Sequence, residues 1–377
     1  MTEIYLIRHA EAEGNIYRRV QAWYDSRLTA RGERQLQYIG DRFANVKLDA
    51  VYSSDRCRAR RTAQAVAEPH GIEIIEDIGL REVGCGVWED VPWGEAQRFY
   101  GPQLHYFNNA PEKWNICGCE PYGRHSRRIS ETVKKLARLH EGGSIAVASH
   151  GTIIRALLIE AAGISPDEVS SLPQIDNTAV SLIIYEEGRL RAEYIGDASH
   201  IPEGESAFSR QVWWKKSAGP DYTSMWYRFV SFPEDAETYL ALRRAGGTTD
   251  LNDGGRLAAA ARKRQLADDR SVVFSLTGDE IAGLVELDIE RSSRIGAGWI
   301  EYCAIEEKFR GTGLSLQLIG HAVSVYRGMG YRCLRLRVPE NRADIRAYFQ
   351  YVGFIDAGTE FSEDTGYTIM EMDIRVQ

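Results

Sequence analysis

Cysteine is scarce in this chain, with 6 in 377 residues, too few and too scattered for the disulfide frameworks of small secreted domains. Reduced thiols are expected. Cys117 and Cys119 sit close together, but no second Cys or His pair lies at ligand spacing beside them, so no metal is expected. Long apolar runs are missing as well. Nothing approaches the length of a membrane span, and residues 1–7 lack the charged and apolar regions of a signal peptide. The chain is expected to be cytoplasmic and to have no membrane partner. It also lacks an excess of positive charge. The net charge is −8, with 24 Lys+Arg against 28 Asp+Glu in residues 1–200 and 22 against 26 thereafter. Neither part carries a nucleic-acid footprint, and the one basic run is Arg56 to Arg61. With 44% hydrophobic and 27% charged residues, disordered and fibrous classes drop out. A chain of this length is expected to hold two or three domains.

The first two hundred residues alternate strands and helices. Strands are expected at 3–7, 49–53, 72–75 and 144–149, and helices at 29–45, 55–68, 126–141 and 151–162. A long irregular insertion at 83–125 and a closing hairpin at 179–194 complete the order. Such alternation predicts a mostly parallel sheet covered on both faces. Three strand ends are chemically loaded. Arg8 and His9 follow an apolar strand and precede a polar turn with Gly14 and Asn15. Ser53 to Asp55 follow a second strand and can cap the next helix, with Arg58 one turn in, aimed at an anion on the helix N-terminus. His150 and Gly151 follow a third strand. Open α/β sheets bind ligands at such carboxyl ends. Taken alone, His150 reads as well as a satisfied core histidine, and Arg60 and Arg61 read as a solvated helix face.

These stretches resemble the histidine phosphatase superfamily, the phosphoglycerate-mutase-like fold. Arg8, His9, Glu11 and Asn15 match its Arg-His-Gly-Glu-Thr-x-x-Asn signature, with Ala10 in place of Gly. Gln21, Asp25, Leu28, Thr29 and Gly32 match its second block, Ser53 to Ala63 its phosphate-binding block, and His150-Gly151 its second histidine. Leu80 to Glu89 resembles the block that carries the general acid, at Glu82, with Glu89 and Glu95 as rivals. Gly118 to Glu120 with Arg127 resembles a further stretch loosely, and Asn177 to Val180 fits a closing segment. The resemblance covers about 2–200 and implies an N-terminal three-layer α/β/α domain. It implies an uncharged His9 that attacks phosphorus to form a phosphohistidine. Arg8, Arg58, His150 and Asn15, with Gln21 and Gly151, would hold the phosphoryl group. Glu82 would protonate the leaving oxygen and then activate water. The absence of a clear mutase-type block favours hydrolysis over a mutase.

Residues 201–222 carry the Pro/Gly/Ser punctuation of a linker, although Phe208, Trp213 and Trp214 inside it suggest that it packs on something. Domains are therefore expected at 1–200 and 223–377, in contact. Beyond the linker come a strand at 225–230, a helix starting at Pro233, a second helix at 254–268, and a hairpin of Ser271–Ser275 and Glu280–Glu290 turning at 277–279. The strand 298–305 then leads into Arg310-Gly311-Thr312-Gly313-Leu314-Ser315 and a helix to about 329. A glycine-rich turn between strand and helix directs backbone N–H groups at a phosphate.

This arrangement resembles the pyrophosphate loop of the GCN5-related N-acetyltransferases (GNAT), and Asn341 to Phe354 resembles their closing run with one residue too many. The resemblance covers about 223–377 and implies a mixed-sheet α/β domain that uses acetyl-CoA. The strand at Cys303 to Ile305 would pair with the pantetheine arm. The extra residue leaves the general-acid position open between Tyr348 and Phe349. By strand alternation Glu301 shares a face with Trp299, Cys303 and Ile305, and is a candidate base for an amine or a plain strand-end carboxylate. The combined expectation is a bifunctional enzyme, a phosphomonoesterase joined to an acetyltransferase acting on a small amine. One small phosphorylated amino metabolite could meet both sites. In the alternative reading the second half only senses acetyl-CoA.

Overall fold

The computed structural model describes residues 1–210, 223–245, 254–362 and 365–376. Trp213 and Trp214 lie outside the described residues. The N-terminal part comprises β1 (Thr2–Arg8), α1 (Glu13–Ile16), α2 (Ala30–Phe43), β2 (Ala50–Ser53), α3 (Cys57–Ala67), β3 (Ile74–Glu76), α4 (Trp93–Asn109), α5 (Tyr122–Leu139), β4 (Ser144–Ser149), α6 (Gly151–Ala162), β5 (Val180–Glu186), β6 (Arg189–Asp197) and α7 (Ala207–Arg210). Its sheet has the order β3-β2-β4-β1-β5-β6. The neighbours from β3 through to β1 run parallel, and β5 and β6 close it as an antiparallel hairpin.

Alternation along β1 divides the core. Ile4 and Leu6 face α5 and α6, joining Ile129, Val133, Ile153 and Leu157, while Ile7 faces α2 and α3, joining Ile39, Phe43, Ala63 and Val66. Apolar strands covered on both sides produce the three-layer α/β/α stack. The stretch expected to be irregular, 83–125, contains α4, a helix of 17 residues. Pro102 hid it. The helix kinks there, with Tyr100 at φ −130°, ψ 29°, so the proline falls near the start of a second helical segment, where its missing N–H costs little.

The C-terminal part comprises β7 (Trp226–Phe229), α8 (Ala236–Ala245), α9 (Gly254–Ala267), β8 (Val272–Thr277), β9 (Glu280–Leu287), α10 (Ile289–Ile295), β10 (Gly298–Ile305), α11 (Ser315–Gly328), β11 (Cys333–Pro339), α12 (Ala343–Tyr351), β12 (Ile355–Ser362) and β13 (Thr365–Asp373). The sheet order is β12-β13-β11-β10-β9-β8-β7. Helices α11 and α12 cover one face around Leu318, Ala322 and Phe349, and α8 and α9 cover the other around Tyr239, Leu242 and Ala261. β9 ends at Leu287, short of the expected 290, because Asp288 caps α10 by accepting the Arg291 N–H at 2.8 Å. The two parts touch: Arg327 binds Glu13, and Arg19 binds Ser324. Among the described residues no helix is long and apolar enough to cross a membrane.

Candidate active sites

β1 and β4 are parallel neighbours with Arg8 opposite Ser149, so the next residue of each strand leaves the sheet at the same edge. These residues are His9 and His150, and their ring centroids lie 5.3 Å apart. His9 is buried, and its Nδ1 stands 2.8 Å from the Ala10 carbonyl. A carbonyl only accepts, so Nδ1 carries the proton and Nε2 the lone pair. Burial, and then the neighbouring Arg58 and Arg8, hold the His9 pKa well below the usual imidazole range. Its ring is therefore neutral at pH 7. His150 is fully buried, with Nε2 2.8 Å from the Ser54 hydroxyl at the end of β2. Burial, then Arg58 and His9, depress its pKa too, so it is neutral here and not cationic.

Two guanidinium groups complete the cluster. Arg58, fully buried, donates through Nη2 to the Ala22 carbonyl at 2.8 Å and through Nη1 to the Tyr24 carbonyl at 3.2 Å. Arg8 Nη1 donates to the Ile175 carbonyl at 2.5 Å, and Gly151 opens α6 close against its side chain. Burial lowers the pKa of both arginines, from a value high enough that the charge persists. Arg8 Nε, Arg58 Nε and His150 Nδ1 are buried and have no hydrogen-bond partner among the described residues. Such atoms occur elsewhere among the described residues, Arg31 Nε and Arg155 Nε among them, but three around one histidine, two of them on cationic side chains, suit an anion.

Asn15 Oδ1 accepts the Ala12 N–H at 2.9 Å, and Asn177 Nδ2 lies 3.5 Å from it and 2.8 Å from the His9 carbonyl. Gln21 lies beside Gly14 and donates to the Ser26 hydroxyl. Glu82 sits at the N-terminus of α6. Its Oε1 accepts from Val83 at 3.0 Å and Ile153 at 2.8 Å, and its Oε2 accepts from Thr152 at 3.0 Å. The carboxylate thus caps a helix one turn from His150. The rivals are placed differently. Glu89 Oε1 holds the Trp23 and Tyr24 amides at 2.8 and 2.7 Å, with its pKa raised by burial. Glu95 opens α4, toward Arg19 and Tyr227. A cavity of about 540 Å³, lined by Trp23, Tyr24, Cys85, Glu89, Glu120 and Arg124 among others, neighbours the cluster through Tyr24, whose carbonyl holds Arg58. A larger groove of about 640 Å³ between α5 and α6 contains none of the residues of this cluster.

The second site is set by a divergence. β10 and β11 pair only at Gly298–Leu334 and Trp299–Arg335, then splay, which frees the β10 backbone at Cys303 to Ile305 on that side. The loop 310–314 follows, with Gly311 at φ +77° and Gly313 at φ +85° and open space beside both. Side-chain-bearing residues resist that conformation, so two glycines leave the backbone N–H groups of the loop, with Thr312 and Leu314, able to approach a phosphate at the head of α11. Residues that leave a strand gap and an amide-lined loop fit acetyl-CoA, and Cys303, Ile305 and Arg310 to Ser315 are the ones that would hold it. Burial pushes the Cys303 thiol up to about 12, so its backbone and not its sulfur is the useful group. Tyr348 stands beside the Ser315 side chain and near Cys303, and burial raises its pKa while Ser315 pulls it the other way. Phe349 is buried in the core.

The alternation argument for Glu301 holds for Trp299, which donates to it, and fails for Cys303 and Ile305. The β9–β10 register shifts between Ile300 and Tyr302, so Glu301 is the extra residue of a bulge, which re-aims a side chain. Cys303 and Ile305 face α11 and α12 while Tyr302 faces α8 and α9. Glu301 lies with Tyr302, 3.4 Å from Arg264 of α9 and 3.0 Å from Trp299 Nε1.

Residues 4–198 match the Histidine phosphatase superfamily (branch 1). The chain belongs to the histidine phosphatase superfamily. Residues 237–354 match the Acetyltransferase (GNAT) family, so one chain carries both domains. Proteins named "Probable phosphoglycerate mutase GpmB" from Salmonella paratyphi A and Salmonella typhi are each 30% identical over 206 residues, 53% of this chain and 95% of theirs. The solved structure of Bacillus stearothermophilus YhfR superposes with a TM-score of 0.51 at 31% identity, over 53% of this chain and 99% of that one.

Within the histidine phosphatase domain several site residues escape a reading of the sequence. Ser53 to Asp55 do not cap α3. The Cys57 N–H is taken at 3.0 Å by the carboxylate of Asp25, which also lies 3.8 Å from Arg58. The helix N-terminus is thus occupied by a side chain, and Asp25 was visible only as a match in the second block. Thr62 accepts the Ala10 N–H at 2.9 Å, and Asn177 braces His9 from the start of β5. Glu120 pairs with Arg128 at 2.7 Å, not with Arg127, which lines the distant groove, because the two lie on different sides of α5. Arg60 and Arg61 bind Glu76 and Glu33 on the surface. All six cysteines are free thiols, and the described residues contain no group of three metal-ligating side chains.

Proposed function

We propose that the N-terminal domain, residues 1–200, hydrolyses phosphomonoesters through a phosphohistidine on His9. The domain 223–377, beyond a linker at 201–222, would transfer acetyl from acetyl-CoA to a small amine. The observation that carries the first part is the neutral His9 with its Nδ1–H donated to the Ala10 carbonyl, beside three unsatisfied buried N–H donors or acceptors on Arg8, Arg58 and His150. The Nε2 lone pair attacks phosphorus as the P–O bond to the leaving group breaks. Arg8 and Arg58 meet the equatorial phosphoryl oxygens, and His150 supplies a third contact. Glu82 gives its proton to the departing oxygen. It then takes one from the water that attacks phosphohistidine, so phosphate leaves and His9 is restored. For this, one Glu82 oxygen must turn from the α6 amides toward the pocket.

In the second half, Tyr348 would give a proton to the departing thiolate, and Glu301, turned toward Arg264 on the α8–α9 side, would reach the amine only through water. The test pairs two measurements. A labelled phosphomonoester should leave acid-labile, alkali-stable label on wild-type protein during turnover and none on His9→Ala. Acetyl-CoA with a panel of small amines, phosphorylated ones included, should release thiol. Label that never appears on His9 would refute the first part. Acetyl-CoA that binds but releases no thiol with any amine of the panel would leave the second domain an acetyl-CoA sensor. The relatives named as probable phosphoglycerate mutases supply the second reading, in which the phosphoryl group returns to the substrate. Product analysis separates the two, since a mutase yields an isomer and no free phosphate.

A further inference from the structure

Helix α11 presents its first turn to the glycine-rich loop and one stripe of its surface to other parts of the chain. Gln317, Gly320, Ser324 and Arg327 are spaced three, four and three residues apart, which puts them on one side of a helix. Gln317 anchors the approach to β7, accepting the Met225 N–H at 2.8 Å and donating to the Thr223 carbonyl at 3.0 Å. The other three meet the histidine phosphatase domain. A Cβ at Gly320 would stand 2.5 Å from the Cβ of Tyr17, so Tyr17 lies directly on the helix backbone. Its ring is buried in the core of the acetyltransferase domain, not in that of its own. Ser324 Oγ donates to Asp90 at 2.5 Å and accepts from Arg19 Nη2 at 2.9 Å, and Arg19 Nε also reaches Asp90 at 2.6 Å. Arg327 Nη2 lies 2.9 Å from Oε2 of Glu13, a carboxylate that is itself buried.

Glu13, Tyr17 and Arg19 all belong to the segment between His9 and the strip that holds Arg58. Asn15 falls between the first two, and the Ala22 and Tyr24 carbonyls that fix Arg58 follow shortly after the third. The segment has little regular structure of its own. α1 is 4 residues long, and Arg18 sits at φ +54°, a conformation that a non-glycine residue adopts at a cost. A single turn of helix does not hold itself in water.

We propose that α11 of the acetyltransferase half is a positioning element of the phosphoryl site. Through Glu13, Tyr17 and Arg19 it holds Asn15 and the 22–24 carbonyls where Arg58 and His9 need them. Arg327 touches no substrate and is a positioning residue. The inference rests on the phosphatase reading above and adds that the second domain, together with Glu89 on the Trp23 and Tyr24 amides, sets the geometry of the phosphoryl site.

The experiment uses the full chain as wild type, Arg327→Ala, Arg327→Lys and Ser324→Ala. It measures kcat and KM for p-nitrophenyl phosphate and the dissociation constants of orthovanadate and acetyl-CoA. For Arg327→Ala, vanadate affinity and kcat/KM are expected to fall about tenfold, the scale of a lost charge-assisted hydrogen bond. Acetyl-CoA affinity should stay within about threefold, and Arg327→Lys should recover most of the vanadate affinity by keeping the charge at Glu13. Should Arg327→Ala fail to bind acetyl-CoA, and so be misfolded, Ser324→Ala decides, with an expected loss of about threefold. A folded variant that binds acetyl-CoA and keeps wild-type vanadate affinity and kcat/KM overturns the proposal. A wild-type protein that binds no vanadate and releases no phosphate refutes the phosphatase reading instead.

Discussion

Replacing Glu82 with Gln separates the helix cap that this carboxyl group forms from the acid role proposed for it. Its oxygens accept N–H groups from Val83, Thr152 and Ile153, all within 3.0 Å, at the positive end of α6. Gln keeps the shape but has one acceptor oxygen and no charge. At least one hydrogen bond to a charged group is lost, about 1.5–3 kcal/mol, together with a helix-dipole contribution of about 0.3–1 kcal/mol. A fall of roughly 2–4 kcal/mol in unfolding free energy is expected from urea titration of the variant. The catalytic consequence depends on the leaving group. For an alkyl phosphate, whose departing alkoxide needs a proton, kcat should fall about 10²–10⁴-fold. For p-nitrophenyl phosphate, whose phenolate leaves unaided, the fall in the burst of p-nitrophenol should be about tenfold or less. Equal losses on both substrates would remove Glu82 as the acid and leave it a helix cap. Unchanged stability would remove the cap.

Arg58→Lys tests the buried fork. Lysine cannot reach the Ala22 and Tyr24 carbonyls and a phosphoryl oxygen together, so vanadate affinity and kcat/KM should each drop about 10²–10³-fold, and a loss below threefold would refute the assignment. Gly86→Ala should cost about 2–4 kcal/mol in chemical denaturation. The new Cβ would stand 2.1 Å from the Cys117 carbonyl oxygen, and φ is +52°. Wild-type stability would mean that the backbone can move there. His321, buried on α11 with its pKa lowered by burial to about 4, gives a pH test. Its unfolded form takes a proton below about pH 6.5 while the folded form does not, so stability is full above that pH and is lost as pH falls toward 4. Between pH 7.5 and 5.0 this one residue should account for about 2 kcal/mol, and His321→Gln should flatten the profile by that amount in paired urea titrations. Parallel profiles would refute it.

Much of the phosphoryl site is legible along the chain because each part is local. An apolar strand that ends in Arg8-His9, or in Ser149-His150-Gly151, declares its own strand end, and parallel neighbours align their ends. The glycine pair at 311 and 313 is equally local, since a turn that needs positive φ has to write its glycines into the text. Other features depend on partners from afar. The amide at the start of α3 goes to Asp25 and not to the serines beside it, because a loop folds back over the helix. Glu301 changes face because β9 and β10 meet with one residue to spare, and no single strand encodes its partner's register. Pro102 signals a break, yet only the packing of α4 shows that a helix continues past it.

Residue order alone therefore decided the alternation of strands and helices, the strand ends that carry His9 and His150, and the glycine turn at 311–313, all of which follow from short-range periodicity and backbone stereochemistry. The three-dimensional fold alone decided which carboxylate caps which helix and which arginine meets Glu120. It also decided that Tyr17, from the first domain, completes the core of the second. Those outcomes are set by which buried charges and apolar surfaces must be satisfied once distant segments are brought together, and that demand has no signature in any one stretch of sequence.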